Sequence, residues 1–387
     1  MRVIWIVMDS VGIGKAPDAE DFGDRGSDTL KSCYETGKLD IPNMRKLGIF
    51  NIAGMDYGEK ESSPKGNYAR MRERSAGKDT TIGHWEMAGV ISAQAFPTYP
   101  EGFPKEILDV FREKTKKGIL CNRPYSGTEV IKKYGRQHEE TGDLIVYTSA
   151  DSVFQIAAHE DVVPIDKLYE YCKIARELLR GKHAVARVIA RPFKGAYPDY
   201  VRTKNRHDFS LIPPKDTILD MLQAQGKEVI GVGKIYDIFA GKGIGETKAN
   251  QGNDRNMDMT IKLCEKKFDG LCFVNLVDFD MVYGHRRDAD GYANALNAFD
   301  RKLGKLMGTL EKDDVLIITA DHGCDPGYRG TDHTRETVPM LCYGEGLKQG
   351  QDLGVKDTYA DIAATIAELF HINYTGDGES FYQQIRL

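Results

Sequence analysis

The sequence has no long apolar run at its N-terminus. The opening apolar stretch, residues 3–8, is too short to span a bilayer and is interrupted at once by Asp9. We therefore expect neither a signal peptide nor a membrane anchor at this end of the chain. The stretch instead predicts a buried first strand.

An excess of one charge is also lacking, since 53 Lys and Arg residues oppose 58 Asp and Glu residues and leave a net charge of -5. Such a balance gives no electrostatic reason to expect nucleic acid or an anionic membrane as a partner. We expect small molecules to bind, with no nucleic acid, no membrane and no obligate protein partner.

Paired cysteines are a third absence. The seven cysteines are dispersed, odd in number and contain no Cys-x-x-Cys spacing. This usage is typical of reduced thiols in a cytoplasm, and it predicts neither a disulfide framework nor a thiolate metal site.

What the chain does contain is a set of short apolar runs that end in acidic residues. The runs are 3–8, 271–277 and 315–319, and aspartates follow each of them. Runs of this length without alternation are typical of strands covered on both faces, and segments 293–310 and 357–370 carry helical apolar stripes. We therefore predict an α/β fold with a doubly wound, mostly parallel sheet, in which acids from distant segments meet beyond the carboxyl ends of the strands.

A chain of 387 residues usually exceeds one hydrophobic core, and prolines mark both ends of a central segment. These prolines are Pro97, Pro100, Pro104, Pro213 and Pro214. We predict a metal-binding catalytic core domain from 1–95 and 214–387, with a smaller α+β domain inserted at 96–213. Strands at 144–147 and 185–189 and a helix at 166–180 are expected within the insert.

Six side chains near the ends of the predicted strands form the strongest candidate site. They are Asp9, Asp280, His285, Asp321, His322 and His333. An aspartate after a strand is most often a turn or cap residue, but three such acids with three of the nine histidines indicate metal ligands. Oxygen and nitrogen ligands suit Mn²⁺ or Zn²⁺, and Mg²⁺ less readily; two ions about 4 Å apart would serve an in-line phosphoryl displacement.

The segment GKDTTIGHWE, residues 77–86, supplies a candidate nucleophile. Metal binding would activate a threonine hydroxyl, and backbone donors at a helix start would hold the transferred phosphate. We select Thr80, with Thr81 as the alternative. By itself the segment is more often a simple helix cap.

Two other motifs fail on inspection. The GIGK at 12–15 lacks the earlier glycine of a phosphate-binding loop and has Ala16 where the magnesium-binding hydroxyl belongs. The His84-x-Glu86 pair resembles that of nucleobase deaminases, but the Pro-Cys-x-x-Cys segment is missing.

In the insert, an SADS segment at 149–152 follows a predicted strand, and four arginines lie further along: Arg187, Arg191, Arg202 and Arg206. Arginines bind phosphate bidentately, so these could hold a non-reacting phosphate while Asp151 accepts from sugar hydroxyls. Most arginines, however, are solvated surface residues.

Over nearly its whole length the chain resembles the phosphopentomutase family of the alkaline phosphatase superfamily. The segments that carry the resemblance are MDSVGIGKAPDA, GKDTTIGHWE, YTSADSVFQIAAHE, VNLVDFDMVYGHRRD and ITADHGCDPGYRGTDHTRE. The resemblance implies that Thr80 is the phosphorylated residue. Ile82, where many relatives have threonine, and Cys324, where asparagine is frequent, depart from the pattern.

The same resemblance implies the ligand sets. One manganese ion would be held by Asp280, His285 and His333, and the other by Asp9, Asp321 and His322. The insert would be the family's cap domain, with Ser149, Asp151, Arg187 and Arg202 facing a pentose phosphate.

The activity implied is the interconversion of α-D-ribose 1-phosphate and D-ribose 5-phosphate, and of the 2-deoxyribose equivalents. It would proceed through a phosphothreonine enzyme and a 1,5-bisphosphate, and it would link nucleoside catabolism to pentose phosphate metabolism. Glucose 1,6-bisphosphate or ribose 1,5-bisphosphate would act as activator, and the cap would exclude water.

Three alternatives stay open. The same ligands could serve a metal-dependent phosphomonoesterase or phosphodiesterase. A cofactor-independent phosphoglycerate mutase normally has serine in the position of Thr80 and a different cap. A non-catalytic protein would use the six ligands for stability alone.

Overall fold

A computed structural model describes residues 1–149 and 151–387. The chain divides into two compact units: unit 1 is Met1–Ala95 with Pro213–Leu387, and unit 2 is Phe96–Ile212. Pro213, placed by the sequence at the edge of the insert, belongs to unit 1.

Unit 1 is built on an eight-stranded sheet. Its strands are β1 (Arg2–Val7), β2 (Asn67–Met71), β9 (Glu228–Gly233), β10 (Glu246–Ala249), β11 (Gly270–Asn275), β12 (Val315–Thr319), β13 (Val338–Tyr343) and β14 (Asp352–Lys356). Their order is β10-β9-β11-β1-β12-β13-β2-β14, and β13 pairs antiparallel with both of its neighbours while the other pairings are parallel. The predicted mostly parallel α/β sheet is confirmed.

The three strands that the apolar runs predicted lie side by side at the centre of this sheet. Every residue of β11, β1 and β12 is buried, which requires layers on both faces. Trp5 of β1 stacks on Phe273 of β11 with ring centroids 4.1 Å apart. This central packing holds the carboxyl ends of the three strands at one edge.

The helices of unit 1 are α1 (Thr29–Glu35), α2 (Pro42–Leu47), α3 (Thr80–Met87), α7 (Ile218–Ala224), α8 (Ile235–Ile238), α9 (Asn253–Cys264), α10 (Ala289–Met307), α11 (Asp361–Leu369) and α12 (Tyr382–Ile385). Helices α1, α2 and α9 contact α10, while α3 and α7 contact α11, so two groups flank the sheet in a doubly wound arrangement. Helix α10 begins before the predicted residue 293 because the Asp288 side chain caps it by accepting from Gly291 N.

Unit 2 has a six-stranded mixed sheet in the order β3-β4-β5-β6-β7, with β8 also paired to β6. Its elements are β3 (Ile119–Pro124), β4 (Leu144–Thr148), β5 (Val153–His159), β6 (Arg187–Lys194), β7 (Val201–Arg202), β8 (His207–Ser210), α4 (Lys105–Thr115), α5 (Gly127–Thr141) and α6 (Ile165–Leu178). Residues of α4 and α6 form one core cluster with the sheet, and residues of α5 form another. Each unit thus has its own hydrophobic core.

Across residues 1–149 and 151–387, none of the helices has the length and apolar character that a bilayer crossing requires.

The core of unit 2 offers a test of its independent stability. Phe111 of α4 is fully buried with its ring 5.6 Å from that of Phe154, whereas Val110 beside it is 38% exposed. We expect Phe111→Ala to lower the free energy of unfolding of unit 2 by about 3–5 kcal/mol through the cavity it leaves. Val110→Ala should change it by less than about 0.5 kcal/mol.

Because Trp5 and Trp85 both lie in unit 1, tryptophan fluorescence does not report on unit 2. The measurement is therefore native-state hydrogen exchange of peptides from 96–212, read by mass spectrometry. Equal exchange in the two variants would show that α4 contributes little to the core.

Candidate functional site

Three buried carboxylates meet at the carboxyl edge of the central strands of unit 1. Asp9 follows β1, Asp321 follows β12, and Asp280 lies in a π-helical turn, Phe279–Gly284, that follows β11. Asp9 and Asp321 are fully buried and Asp280 is 5% exposed. The parallel pairing of β11, β1 and β12 brings these acids together although more than 300 residues separate the first from the last.

The three predicted histidines are oriented by backbone carbonyls. Nδ1 of His285 lies 2.7 Å from Thr331 O, Nδ1 of His322 lies 3.0 Å from Gly323 O, and Nδ1 of His333 lies 3.0 Å from Lys78 O. Since a carbonyl can only accept, each Nδ1 carries the proton and donates it, which leaves the Nε2 lone pair free. This is the arrangement of metal-binding imidazoles.

Each Nε2 points at the carboxylates. His285 Nε2 lies 3.1 Å from Asp280 Oδ2, and His333 Nε2 lies 3.3 Å from Asp280 Oδ1. His322 Nε2 lies 3.5 Å from Asp9 Oδ1 and 3.4 Å from Asp321 Oδ2. All six predicted ligands are therefore brought together.

The carboxylate oxygens and imidazole nitrogens of this cluster are placed so that divalent cations would satisfy them better than their contacts with one another do. Nε2 of His285 and of His333 are 3.2 Å apart, so either a shared proton or a cation must lie between them. Among the described residues, Asp9 Oδ1, Asp280 Oδ1 and Asp321 Oδ2 are buried and accept no hydrogen bond. Two groups of three, Asp9 with Asp321 and His322, and Asp280 with His322 and His333, have ligand atoms within 4.8 Å of one another.

In the absence of a bound cation, protons on the carboxylates and imidazoles must balance the negative charge of the site. Burial, with repulsion from Asp321 and Asp280, raises the pKa of Asp9 well above its usual range. Burial by itself would lower the pKa of His333, but the Asp280 carboxylate outweighs it and raises that pKa to about 10. Burial lowers the pKa of His322 to about 4, which keeps its imidazole neutral. The negative charge of the carboxylates therefore favours the binding of protons or metal cations at this site.

Cys324 also borders the site, with Sγ 3.8 Å from His285 Nδ1. Together with Asp280 and His285 it forms a third group with metal-ligand spacing. Burial raises the pKa of its thiol above the usual value, so a cation would have to displace the thiol proton before the sulfur could bind it. The geometry therefore favours the oxygen and nitrogen ligands.

The candidate nucleophile begins α3 at the same edge. Thr80 Oγ1 lies 3.2 Å from His322 Nε2 and so borders the ligand cluster. At Gly83, one turn further on, a Cβ atom would lie 2.4 Å from Asp321 O, so only glycine lets α3 approach the metal loop this closely. The contact with His322 favours Thr80 over Thr81.

The helix start does not offer the donors that the sequence suggested. The Asp79 side chain caps α3 and accepts from the N–H groups of Thr81 and Ile82, both at 3.1 Å. These two amides are engaged, so the expectation that they hold a phosphate does not stand. Cations held by the neighbouring carboxylates and imidazoles would be an alternative source of positive charge for a phosphoryl group.

Two residues that the sequence analysis missed connect the nucleophile to the ligands. His84 donates from Nδ1 to Thr80 O at 2.8 Å, and that nitrogen lies 3.2 Å from Asp321 Oδ2. Asn275, the last residue of β11, donates to Asp9 Oδ2 at 2.8 Å and lies 3.2 Å from His84 Nε2. The position of Asn275 at a strand end, like that of the acids, is the signal that could have identified it.

The GIGK segment that failed as a phosphate-binding loop has a packing explanation. The buried Glu336 carboxylate accepts from Gly14 N at 3.2 Å and from Thr29 N at 2.9 Å. A Cβ atom on Gly12 would lie 2.1 Å from Glu336 Oε2. The glycines therefore let the loop after β1 close around a carboxylate rather than a nucleotide.

The predicted substrate-binding residues lie in unit 2. Asp151 Oδ2 is 3.8 Å from Arg187 Nη2, and Arg187 also pairs with Asp208 at 3.3 Å. Arg202 lies instead against the start of α5, where its Nε donates to Gly127 O at 3.2 Å. Ser149 follows β4 and is partly buried; Ala150 of the same segment lies outside the described residues.

Comparison with known proteins agrees with this geometry. The sequence model of the metalloenzyme superfamily matches residues 1–374. A phosphopentomutase of Lachnoclostridium phytofermentans is 55% identical over 384 residues, which cover 99% of this chain and 98% of that protein. A phosphopentomutase of Caldanaerobacter subterraneus subsp. tengcongensis is 54% identical over 386 residues, which cover 100% and 98%.

Among solved structures, the PH0037 protein of Pyrococcus horikoshii is similar in fold, with a TM-score of 0.50 at 14% identity over 97% of this chain and 98% of that one. The family resemblance drawn from the sequence segments is confirmed by the relatives that match along the full length. The chain belongs to the phosphopentomutase family within the metalloenzyme superfamily.

Proposed function

We propose that this protein interconverts α-D-ribose 1-phosphate and D-ribose 5-phosphate, together with the 2-deoxyribose equivalents. The observation that carries the proposal is the hydroxyl of Thr80, 3.2 Å from His322 Nε2 at the edge of the buried carboxylate and imidazole cluster. A site that only stabilised the fold would not need a hydroxyl in that place. Family membership supports the choice of substrate.

The six clustered residues would hold two divalent cations, one through Asp280, His285 and His333 and the other through Asp9, Asp321 and His322. Manganese is the proposed ion because the family resemblance implies it, and the oxygen and nitrogen donors of the cluster are compatible with it. When bound, the ions supply positive charge that favours the alkoxide of Thr80 and neutralises the phosphoryl oxygens.

Thr80 would be the group that carries the phosphoryl unit between turnovers. Its main chain is fixed by the His84 imidazole at its carbonyl and by the Asp79 cap on the next two amides. Phosphothreonine would transfer its phosphoryl group to the free hydroxyl of a pentose phosphate, and a 1,5-bisphosphate would form. The other phosphate of that bisphosphate would then return to Thr80.

The cycle needs a phosphorylated enzyme at its start, so a bisphosphate such as glucose 1,6-bisphosphate or ribose 1,5-bisphosphate would act as activator. Ser149, Asp151, Arg187 and Arg202 of unit 2 would bind the pentose phosphate, and unit 2 would serve as the cap that excludes water. The seven free cysteines support a cytoplasmic location, where the reaction would link nucleoside catabolism to pentose phosphate metabolism.

The fate of the phosphate distinguishes this proposal from a hydrolase on the same scaffold. With Mn²⁺, ribose 1-phosphate and a trace of glucose 1,6-bisphosphate, phosphorus NMR should show ribose 5-phosphate accumulating without inorganic phosphate. Inorganic phosphate as the main product would make the protein a phosphomonoesterase.

Replacement of Thr80 by valine tests the nucleophile, because valine keeps the shape and removes the hydroxyl. We expect Thr80→Val to lower kcat at least about 1,000-fold and to abolish labelling by the bisphosphate. Thr81→Val, one residue further along, is the matched control and should keep kcat within a few fold. Activity in Thr80→Val with none in Thr81→Val would transfer the role to Thr81.

Removal of the cations should destabilise the protein as well as inactivate it. At Mn²⁺ concentrations one hundred times the Kd, binding to the folded state alone stabilises it by about 2.7 kcal/mol. We expect a chelator to lower Tm and Mn²⁺ to restore it, as followed by calorimetry. His333→Ala should reduce this response, and a wild-type Tm that ignores Mn²⁺ would contradict the assignment of the site.

A further inference from the structure

The Thr80 hydroxyl is held by a chain segment without regular structure. Residues 72–79, between β2 and α3, form neither helix nor strand. Their backbone groups must therefore find partners elsewhere. Those partners determine where the nucleophile lies.

Arg335 supplies the partners for the carbonyls of this segment. It is 2% exposed and lies two residues after His333. Its guanidinium donates to Glu73 O and Ser75 O, both at 2.9 Å, and to Gly77 O at 2.6 Å. One side chain thus binds the carbonyl of every second residue from 73 to 77, just before Thr80.

The same guanidinium is fixed by two carboxylates. It donates to both oxygens of Asp18, with the shortest contact at 2.8 Å, and to Glu73 Oε2. Although burial alone would lower the pKa of Arg335, Glu73 and Asp18 raise it, so the group is charged. All N–H groups of the guanidinium donate hydrogen bonds, and the ammonium group of a lysine could not reproduce this set of contacts.

The amides of the segment are bound by Glu86 of α3. Its buried carboxylate accepts from Arg74 N at 2.9 Å and from Ser75 N at 2.6 Å. It also accepts from Thr358 Oγ1 at 2.9 Å and from Tyr359 N at 3.0 Å. Arg335 therefore binds carbonyls of this short segment, and Glu86 binds amides of the same segment.

The stretch is also attached to the metal loop that contains Arg335. His333 donates to Lys78 O at 3.0 Å, while Arg335 N and Lys78 Nζ both donate to Asp24 Oδ2 at 2.8 Å. Residues 73–78 and residues 333–335 are therefore joined along their length. A shift of one would move the other.

We propose that Arg335 is a positioning residue that fixes Thr80 relative to the cation ligands, so that its loss slows phosphoryl transfer to Thr80 without weakening substrate binding. The inference rests on the proposed role of Thr80 as phosphoryl carrier. Its physical basis is that a displacement of about 1 Å at a reacting group can cost about 100-fold in rate.

The test compares Arg335→Lys with Arg2→Lys. Arg2 is a buried arginine that also pairs with a carboxylate, Asp314, and donates to the carbonyls of Cys264 and Lys266. It begins β1 and so lies at the edge of the sheet opposite the site. Both variants keep the charge and lose a buried arginine network, so both should lower Tm.

Only Arg335→Lys should lower kcat, by about 100-fold with KM within twofold of wild type. Phosphorylation of Thr80 by glucose 1,6-bisphosphate, followed by intact-protein mass spectrometry, should slow by the same factor. Bound Mn²⁺, counted by electron paramagnetic resonance, should match wild type. Arg2→Lys should keep wild-type values of all three.

Wild-type phosphorylation in Arg335→Lys would overturn the inference, as would a kcat loss of equal size in Arg2→Lys. Loss of Mn²⁺ in parallel with kcat would also overturn it, because the effect would then come from His333. If Arg335→Lys does not fold, Glu86→Gln tests the contacts with the amides of the same segment and should show the same loss of kcat at unchanged KM. Absence of phosphorylation in the wild type would instead remove the proposed function itself.

Discussion

Three carboxylates forced into one buried edge of a parallel sheet are the constraint on which the rest of unit 1 depends. Burying an unpaired carboxylate is costly, and burying three together is more so because they repel one another. The fold makes this arrangement unavoidable, since β11, β1 and β12 are adjacent and parallel and each is followed by an acid. Bound protons or bound cations must therefore neutralise part of this charge for the edge to be stable.

The neighbouring groups are arranged to suit cations rather than protons. Three imidazoles present Nε2 because backbone carbonyls bind their Nδ1 atoms, and Asn275 occupies one further oxygen of Asp9. The loops that carry these groups are held by their own buried network, of which Glu336 against Gly12 and Gly14 is one part. The rigidity of the loops therefore serves the spacing of the ligands.

The sequence predicted that these side chains would converge because their positions follow from simple rules. A buried strand in a parallel sheet ends at the ligand edge, so Asp9 and Asp321 could be placed from the apolar runs before them. The roles of His84 and Glu86 could not be placed, because each depends on contacts with segments distant in sequence. For the donors at the start of α3 the sequence offered two readings, a helix cap and a phosphate site, and the contacts of the Asp79 side chain correspond to the cap.

The cluster of ligands does not by itself decide between a mutase and a hydrolase, because the same cluster could support phosphoryl transfer to water or to a sugar hydroxyl. A mutase must also hold the phosphate that is not reacting, and this requires a second cationic surface. In unit 2, Arg187 and Arg191 lie on one face of β6, and Arg206 pairs with Asp208 beside them. Burial and the guanidinium groups of Arg206 and Arg202 lower the pKa of Arg191.

Asp151 and Asp208 pair with Arg187, and Asp208 also pairs with Arg206, whereas Arg191 donates to the neutral side-chain amide of Gln155. Burial and the neighbouring guanidinium groups make the charged form of Arg191 less favourable, and an anion bound beside it would offset that cost. A phosphate dianion is one such anion, and in the proposed mutase reaction it would be the phosphate that is not reacting, which a phosphomonoesterase would not need to bind. If the arginines of unit 2 bind that phosphate, as proposed, they are the feature that favours phosphate transfer between two sugar positions over release to water.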